Sequence, residues 1–308
     1  MSALRIRAGA VVLVALLGGC SGTEPVAAPP SSPSPSPSTA PATTAAPPPD
    51  ASPAFRGLEA EFGARLGVFA VDTGTGRTLE HRADERFAYA STHKALSAAL
   101  VLDRTTDAEL DQVVPYDADD LVTHSPVTER HAGTGLPLRD LLQAAIGRSD
   151  NTAANLLLAR LGGPAGFEAG LRELGDDVTQ ADRTEPELNE AVPGDERDTS
   201  TCRALASDLQ AFLLGDALSA DDRALLMEWM RGNTTGATLI EAGIPPGWEI
   251  ADKSGAGGYG TRNDIAVLWP PDGAPIVLAV LSTRLLADAP HDDALVARAA
   301  TVVVDTLQ

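Results

Sequence analysis

Residues 65–72, "RLGVFAVD", alternate apolar positions with period two and run into the turn "TGTG", which predicts a strand and the start of a hairpin. The pattern then changes. Ala95–Arg104 is rich in Ala and Leu, holds no Gly or Pro, and predicts a helix. "LPLRDLLQAAIGRS" and "DNTAANLLLARLGG" predict two more, the second capped near Asp150 and stopped at Gly162-Gly163. Residues 182–200 break the periodicity with a long polar loop that holds Pro186 and Pro193. Helices are expected again over Thr201–Leu214 and Ala220–Arg231. "GWEIADKSG", "RNDIAVLWPP" and "APIVLAVLS" then read as successive strands, and "DDALVARAATVVVDTL" as a closing helix. Residues 50–57 are too weakly patterned to fix a first helix.

Strand at the front, helices in the middle, strands and a helix at the back are most simply met by an α+β fold. Its antiparallel sheet would draw strands from both ends of the chain, and the helices between them would form an inserted all-α domain. The expected division is an α/β part from residues 54–88 and 232–308, with an all-α part over 89–231. A site at their junction is a natural place for a ligand.

The N-terminus has a different character. Arg5 and Arg7 precede an apolar run from Ala8 to Leu17, too short to span a bilayer, which marks residues 1–19 as a secretory signal. "LGGC" resembles a bacterial lipobox, in which Cys20 becomes the lipid-bearing first residue of the mature chain. Residues 20–53 hold 11 of the 23 prolines and almost no large apolar side chain, so they read as a disordered tether. The expected location is therefore outside the cell, on the outer face of the cytoplasmic membrane, with the lipid as the sole membrane contact and some of the protein shed.

Charge narrows the partners. The chain carries a net −20, which becomes −22 once Arg5 and Arg7 leave with the signal. Such acidity argues against nucleic acid or anionic lipid as partners of the folded part. With Cys20 lipidated, Cys202 has no partner for a disulfide. The five histidines are scattered without metal-ligand spacing, so neither a metal nor another cofactor is expected.

Within "FAYASTHKAL", Ser91 has two candidate bases, His93 and Lys94. Positions three apart share a helix face and positions two apart do not. If Ser91 opens a helix, Lys94 stacks over its hydroxyl, while His93 turns away and reads as a packed core or hydrogen-bonded residue. Alone, S-x-x-K is close to a chance motif. Two further stretches change its weight: "SDN", Ser149-Asp150-Asn151, at the mouth of the next long helix, and "KSG", Lys253-Ser254-Gly255, on a predicted strand.

In this order the three motifs are those of class A β-lactamases and penicillin-binding proteins. From about residue 55 onward the chain resembles class A serine β-lactamases. "SPVTERH", "RTEPELNEAVPGDERDTS", "MRGNTTG" and "GWEIADKSGAGGYGTRNDIAVLWPP" carry the likeness beyond the short motifs. The resemblance implies a five-stranded antiparallel sheet flanked by helices, with an Ω-loop over residues 182–200. It also implies a nucleophile at Ser91, a proton relay through Ser149 between Lys94 and Lys253, and an oxyanion hole from the backbone N–H groups of Ser91 and Ala256. Glu185, with Asn189, would position the water that deacylates the enzyme, the step that separates a lactamase from a transpeptidase. In the family the bond before Pro186 is cis, and Arg183 pairs with Asp198 across the neck of the loop.

Lys253, Ser254, Gly255 and Arg262 would receive the substrate carboxylate, Asn151 the acyl side-chain amide, and His124 would stand where the family often has an aromatic wall. Asp150 would fix helix and loop backbone. Whether Lys94 or Glu185 takes the proton from Ser91 stays open. Ala98 and Leu142 replace a cysteine pair found in several members, and Ala90 and Gly257 replace one found in the carbapenem-hydrolysing branch. The expectation is thus a monomeric, lipid-anchored enzyme that hydrolyses penicillins and some cephalosporins and confers resistance to them. The rivals are a D-alanyl-D-alanine peptidase and a non-catalytic cell-wall- or β-lactam-binding lipoprotein.

Overall fold

The computed structural model describes residues 50–308, so the signal, the tether up to residue 49 and Cys20 lie outside the described residues. The longer helices are α1 (Ser52–Phe62), α2 (His93–Asp103), α3 (Leu138–Gly147), α4 (Asn151–Leu161), α5 (Pro164–Leu174), α6 (Cys202–Leu213), α7 (Ala220–Arg231) and α8 (Asp293–Leu307). The main sheet holds β1 (Arg65–Asp72), β2 (Thr78–His81), β3 (Glu249–Ala256), β4 (Arg262–Trp269) and β5 (Ile276–Thr283). Its order is β2-β1-β5-β4-β3, antiparallel throughout. β1 near the start of the fold therefore pairs along its whole length with β5 near its end, from Arg65 opposite Thr283 to Asp72 opposite Ile276.

Alternation within the strands sorts side chains onto the two faces of the sheet. Phe69, Ile265, Val267, Val277, Ala279 and Leu281 pack into the cluster shared with α2–α7. Their neighbours Leu66, Val68, Ala70, Ala266, Leu268, Leu278 and Val280 pack against α1 and α8 on the other face. α2 is buried from His93 to Leu102, so it runs through the middle of the helical layer as a helix enclosed on all sides.

Local signals explain the boundaries. Asp150 caps α4 by accepting the Ala153 N–H at 2.9 Å, and Gly162 ends it in the left-handed region at φ 95°. Thr201 and Ser219 cap α6 and α7 in the same way. Two elements depart from the sequence reading. Ser52 and Pro53, taken as the end of the tether, instead open α1, with Pro53 in the first turn. α5 was not expected, because Gly166 and Gly170 interrupt its pattern. Gly170 is there for packing: a Cβ at that position would sit 2.7 Å from Leu100 Cδ1 of α2.

Candidate active site

Four segments meet above the N-terminal end of α2. Ser91 lies in the 3-10 turn Ala90–Thr92 that leads into α2, and Ala90 before it has φ 47°, a backbone conformation uncommon outside glycine. Ser91 in this turn keeps 8% exposure while Lys94, one turn on, is fully buried. Lys94 Nζ donates to Ser91 Oγ at 2.9 Å, to the Ser149 carbonyl at 2.9 Å and to Asn151 Oδ1 at 2.6 Å. It also stands 2.9 Å from Glu185 Oε1. The three-residue spacing thus corresponds to a direct contact between Lys94 and Ser91.

The loop between α3 and α4 supplies Ser149, held at φ 55°. Its Oγ lies 3.3 Å from both Lys94 Nζ and Lys253 Nζ, so the hydroxyl bridges two lysines on separate elements. Asp150 is spent on backbone. It accepts the Val127 and Thr128 N–H groups at 2.9 Å each and the Thr128 hydroxyl at 2.8 Å. Asn151 gives its amide nitrogen to the Thr123 carbonyl at 2.9 Å, and its own N–H to the carbonyl of His124, an exposed residue at φ 63°.

β3 forms the facing wall. Lys253 is fully buried and donates to the Ser254 carbonyl at 2.8 Å, and Ser254 Oγ pairs with Thr235 Oγ1 at 2.6 Å. Gly255 marks a close approach, since a Cβ there would lie 3.2 Å from the Ser91 nitrogen. The backbone of β3 therefore runs beside the Ser91 N–H, with Ala256 next in line. Arg262 sits opposite Ala256 on β4, and its guanidinium is engaged by Asp293 of α8 at 2.6 and 3.3 Å.

The loop of residues 182–200 closes the fourth side. Its neck is the pair Arg183 Nε to Asp198 Oδ2 at 2.5 Å, while Asp198 Oδ1 accepts the Asp182 and Arg183 N–H groups and the Tyr89 hydroxyl. The Glu185–Pro186 bond is cis, and the turn Glu187–Asn189 brings the Asn189 amide onto Glu185 Oε2. Glu185 Oε1 faces Lys94 and lies 3.2 Å from Ser91 Oγ. Burial opposes the charge on Glu185, but Lys94 and His93 outweigh it and hold the carboxyl below the usual range. Burial also pulls Lys94 down, against the attraction of Glu185. We take the pair as ionised, because each partner is the other's nearest opposite charge.

A serine touching a buried lysine and a buried carboxylate at once is the arrangement of an acylating and deacylating hydrolase. Residues 51–307 match the profile described as the Beta-lactamase enzyme family. The chain belongs to that family. It is 58% identical over 251 residues to a beta-lactamase of Bacillus amyloliquefaciens, covering 82% of each chain. Against a beta-lactamase of Amycolatopsis lactamdurans the identity is 59% over 265 residues, covering 85% of this chain and 88% of the other. The class A beta-lactamase structure from Clostridium kluyveri superposes with a TM-score of 0.82 at 49% identity, covering 83% of this chain and 98% of that one. The fold is thus the class A beta-lactamase fold.

Three contacts of this family site escaped the sequence reading. Asn155 clamps Glu185 by its backbone, accepting the N–H and donating to the carbonyl, both at 2.8 Å. Its signal was available, since Asn155 is four residues after Asn151 and shares its face of α4. Tyr89 ties the nucleophile turn to the loop neck through Asp198. His93 turns from Ser91 as expected, yet its Nε2 lies 3.5 Å from Glu185 Oε1. A cavity of about 780 Å³ lies elsewhere, behind the outer limb of the loop, lined by Arg65, Arg86, Phe87, Val192 and Arg284 among others. It contains none of the residues described above at the catalytic centre.

Proposed function

We propose that the protein hydrolyses the lactam amide of penicillins, and of some cephalosporins, through an acyl-enzyme on Ser91, and so protects the cell that makes it. With Lys94 charged, Ser91 Oγ accepts from the lysine, and Glu185 Oε1 at 3.2 Å is the acceptor left for its proton. Attack opens the lactam, and the oxyanion is met by the N–H groups of Ser91 and Ala256. Ser149, 3.3 Å from both Lys94 and Lys253, passes a proton to the departing nitrogen and is replenished by Lys94, which recovers its proton from Glu185 2.9 Å away and so frees the carboxylate for the next step. Lys253 and Ser254 meet the substrate carboxylate, with Arg262 adding positive charge behind them. Asn151 orients the acyl amide and His124 borders the mouth of the cleft. Glu185, held by Asn189, then takes a proton from the hydrolytic water that releases the product.

The observation that carries this reading is the buried Glu185 carboxylate beside both Ser91 and Lys94. A peptidase that keeps only S-x-x-K, S-x-N and K-S-G has no such group for deacylation. Intact mass spectrometry with benzylpenicillin tests it. Glu185→Ala accumulates a stable adduct on Ser91 while the native enzyme turns over. An adduct on neither, or equal turnover by both, defeats the reading.

We propose further that Cys20 carries a lipid and holds the folded part outside the cell, which the Leu17–Cys20 motif and the leader before it support. Among the described residues no helix is long and apolar enough to cross a membrane. Cys20→Ser would move the protein from the membrane pellet to the supernatant. Equal partition of both forms would rule the anchor out.

A further inference from the structure

A histidine enclosed on every side needs a reason. His93 is 1% exposed on the first turn of α2, its ring held between Tyr89, at a centroid distance of 5.7 Å, and Phe167 of α5, at 5.8 Å. An apolar side chain would fill that slot without the desolvation cost of an imidazole. Its Nε2 is buried with no hydrogen-bond partner among the described residues. That nitrogen points at the general base, 3.5 Å from Glu185 Oε1, about half an ångström beyond an ordinary hydrogen bond.

Glu185 Oε1 therefore faces three groups: Lys94 Nζ at 2.9 Å, Ser91 Oγ at 3.2 Å and His93 Nε2 at 3.5 Å. Once Ser91 is acylated its oxygen is an ester oxygen with no proton to give. Oε1 then loses one partner at the moment when Glu185 must hold a water in place. We propose that His93 is a positioning residue for deacylation, its Nε2–H closing onto Glu185 Oε1 in the acyl-enzyme and keeping the carboxylate aimed and ionised.

His93 itself moves no proton in this role. Burial first, then the charges of Lys94 and Lys253, favour its neutral form, and Glu185 is the facing group that opposes them. The other ionisable neighbour is Tyr89, whose hydroxyl is tied to Asp198. Neutral imidazole still donates through one nitrogen, and a carboxylate is the acceptor in front of Nε2.

This inference rests on the acyl-enzyme reading above and is tested with two variants of the full-length protein. His93→Phe keeps an aromatic ring between Tyr89 and Phe167 but removes the donor, and His93→Gln returns an N–H of similar reach. Rapid-quench mass spectrometry with benzylpenicillin gives the acylation rate and the acyl-enzyme half-life separately. His93→Phe is expected to lengthen the half-life about tenfold, as loss of a hydrogen bond to a charged group would, with acylation changed less than about twofold by the same reasoning. The acid limb of kcat moves to higher pH, because His93 is one of the groups that hold Glu185 ionised. His93→Gln restores both. An unchanged half-life and acid limb in His93→Phe overturns the inference, as does an equal loss of acylation and deacylation that Gln does not rescue. A native enzyme that never forms an adduct overturns the function itself, a distinguishable result.

Discussion

Burial pulls Lys253 below the ordinary lysine range, and the ammonium of Lys94 pushes the same way, while Asp252 and Asp264 oppose them. A lowered lysine loses its charge as pH rises through its new value, so its hold on an anion fades on the alkaline side. kcat/KM for penicillins is therefore expected to fall at a lower pH than a free lysine would impose. Lys253→Arg stays charged throughout that range, so its pH–rate profile should be flat where the native profile declines. Parallel profiles would remove the charge of Lys253 from substrate capture. At this scale Ser91, Lys94, Ser149 and Lys253 were legible, because helix spacing and short motifs describe neighbours along the chain. His93 was dismissed for the same reason. Spacing says that it leaves Ser91, but only tertiary packing shows that the loop brings Glu185 back over it.

The loop of residues 182–200 is held as an element at two places, its neck and its contact with α4. Asp198 is fully buried and receives four donors, so Asp198→Asn removes one charge of a largely buried pair and disturbs the rest. Breaking such a pair costs about 3–5 kcal/mol. Urea unfolding should show a loss toward the lower end, since Arg183 keeps Glu190. Hydrogen exchange should quicken across the loop first. Asn155→Ala removes the clamp on the Glu185 backbone, leaving two groups to find other partners at about 1–3 kcal/mol each. It should lengthen the acyl-enzyme half-life while the sheet stays protected from exchange. Loss of protection in the sheet as well would make Asn155 a general packing residue. Elements with clean caps, such as α4 and α7, were read to within a residue or two. α5 was missed because Gly170 serves a close approach to α2 and Gly166 clears the Leu161 carbonyl at the end of α4, contacts that a one-dimensional pattern does not contain.

The whole molecule carries a large negative charge and also buries carboxyl groups that are not among the site residues. Asp208 of α6 faces Asp176, each has an oxygen without a partner, and burial followed by the Asp176 charge raises Asp208 to about 9. An acid whose pKa is raised on folding keeps its proton in the native state and releases it when unfolded. Stability is then lost as pH climbs from the unfolded value near 4 toward 9, with a slope of at most about 1.4 kcal/mol per pH unit. Asp208→Asn should flatten that slope, raising Tm more at pH 8 than at pH 5. An equal shift at both would show that the proton is not retained.

The pairing of β1 with β5 also sets an order of events in time. β1 ends at Asp72, and the strand that completes its other edge begins at Ile276, some two hundred residues later. The wall holding Lys253 is hydrogen-bonded into the same sheet through β4, so nucleophile and anion-binding wall cannot be joined until almost the entire polypeptide has emerged. Closing so long a loop makes early folding slow and incomplete. Under the export proposed above, this delay would be useful. No finished sheet would be present to jam a translocation channel, and the chemistry would be assembled only after the last strand had crossed.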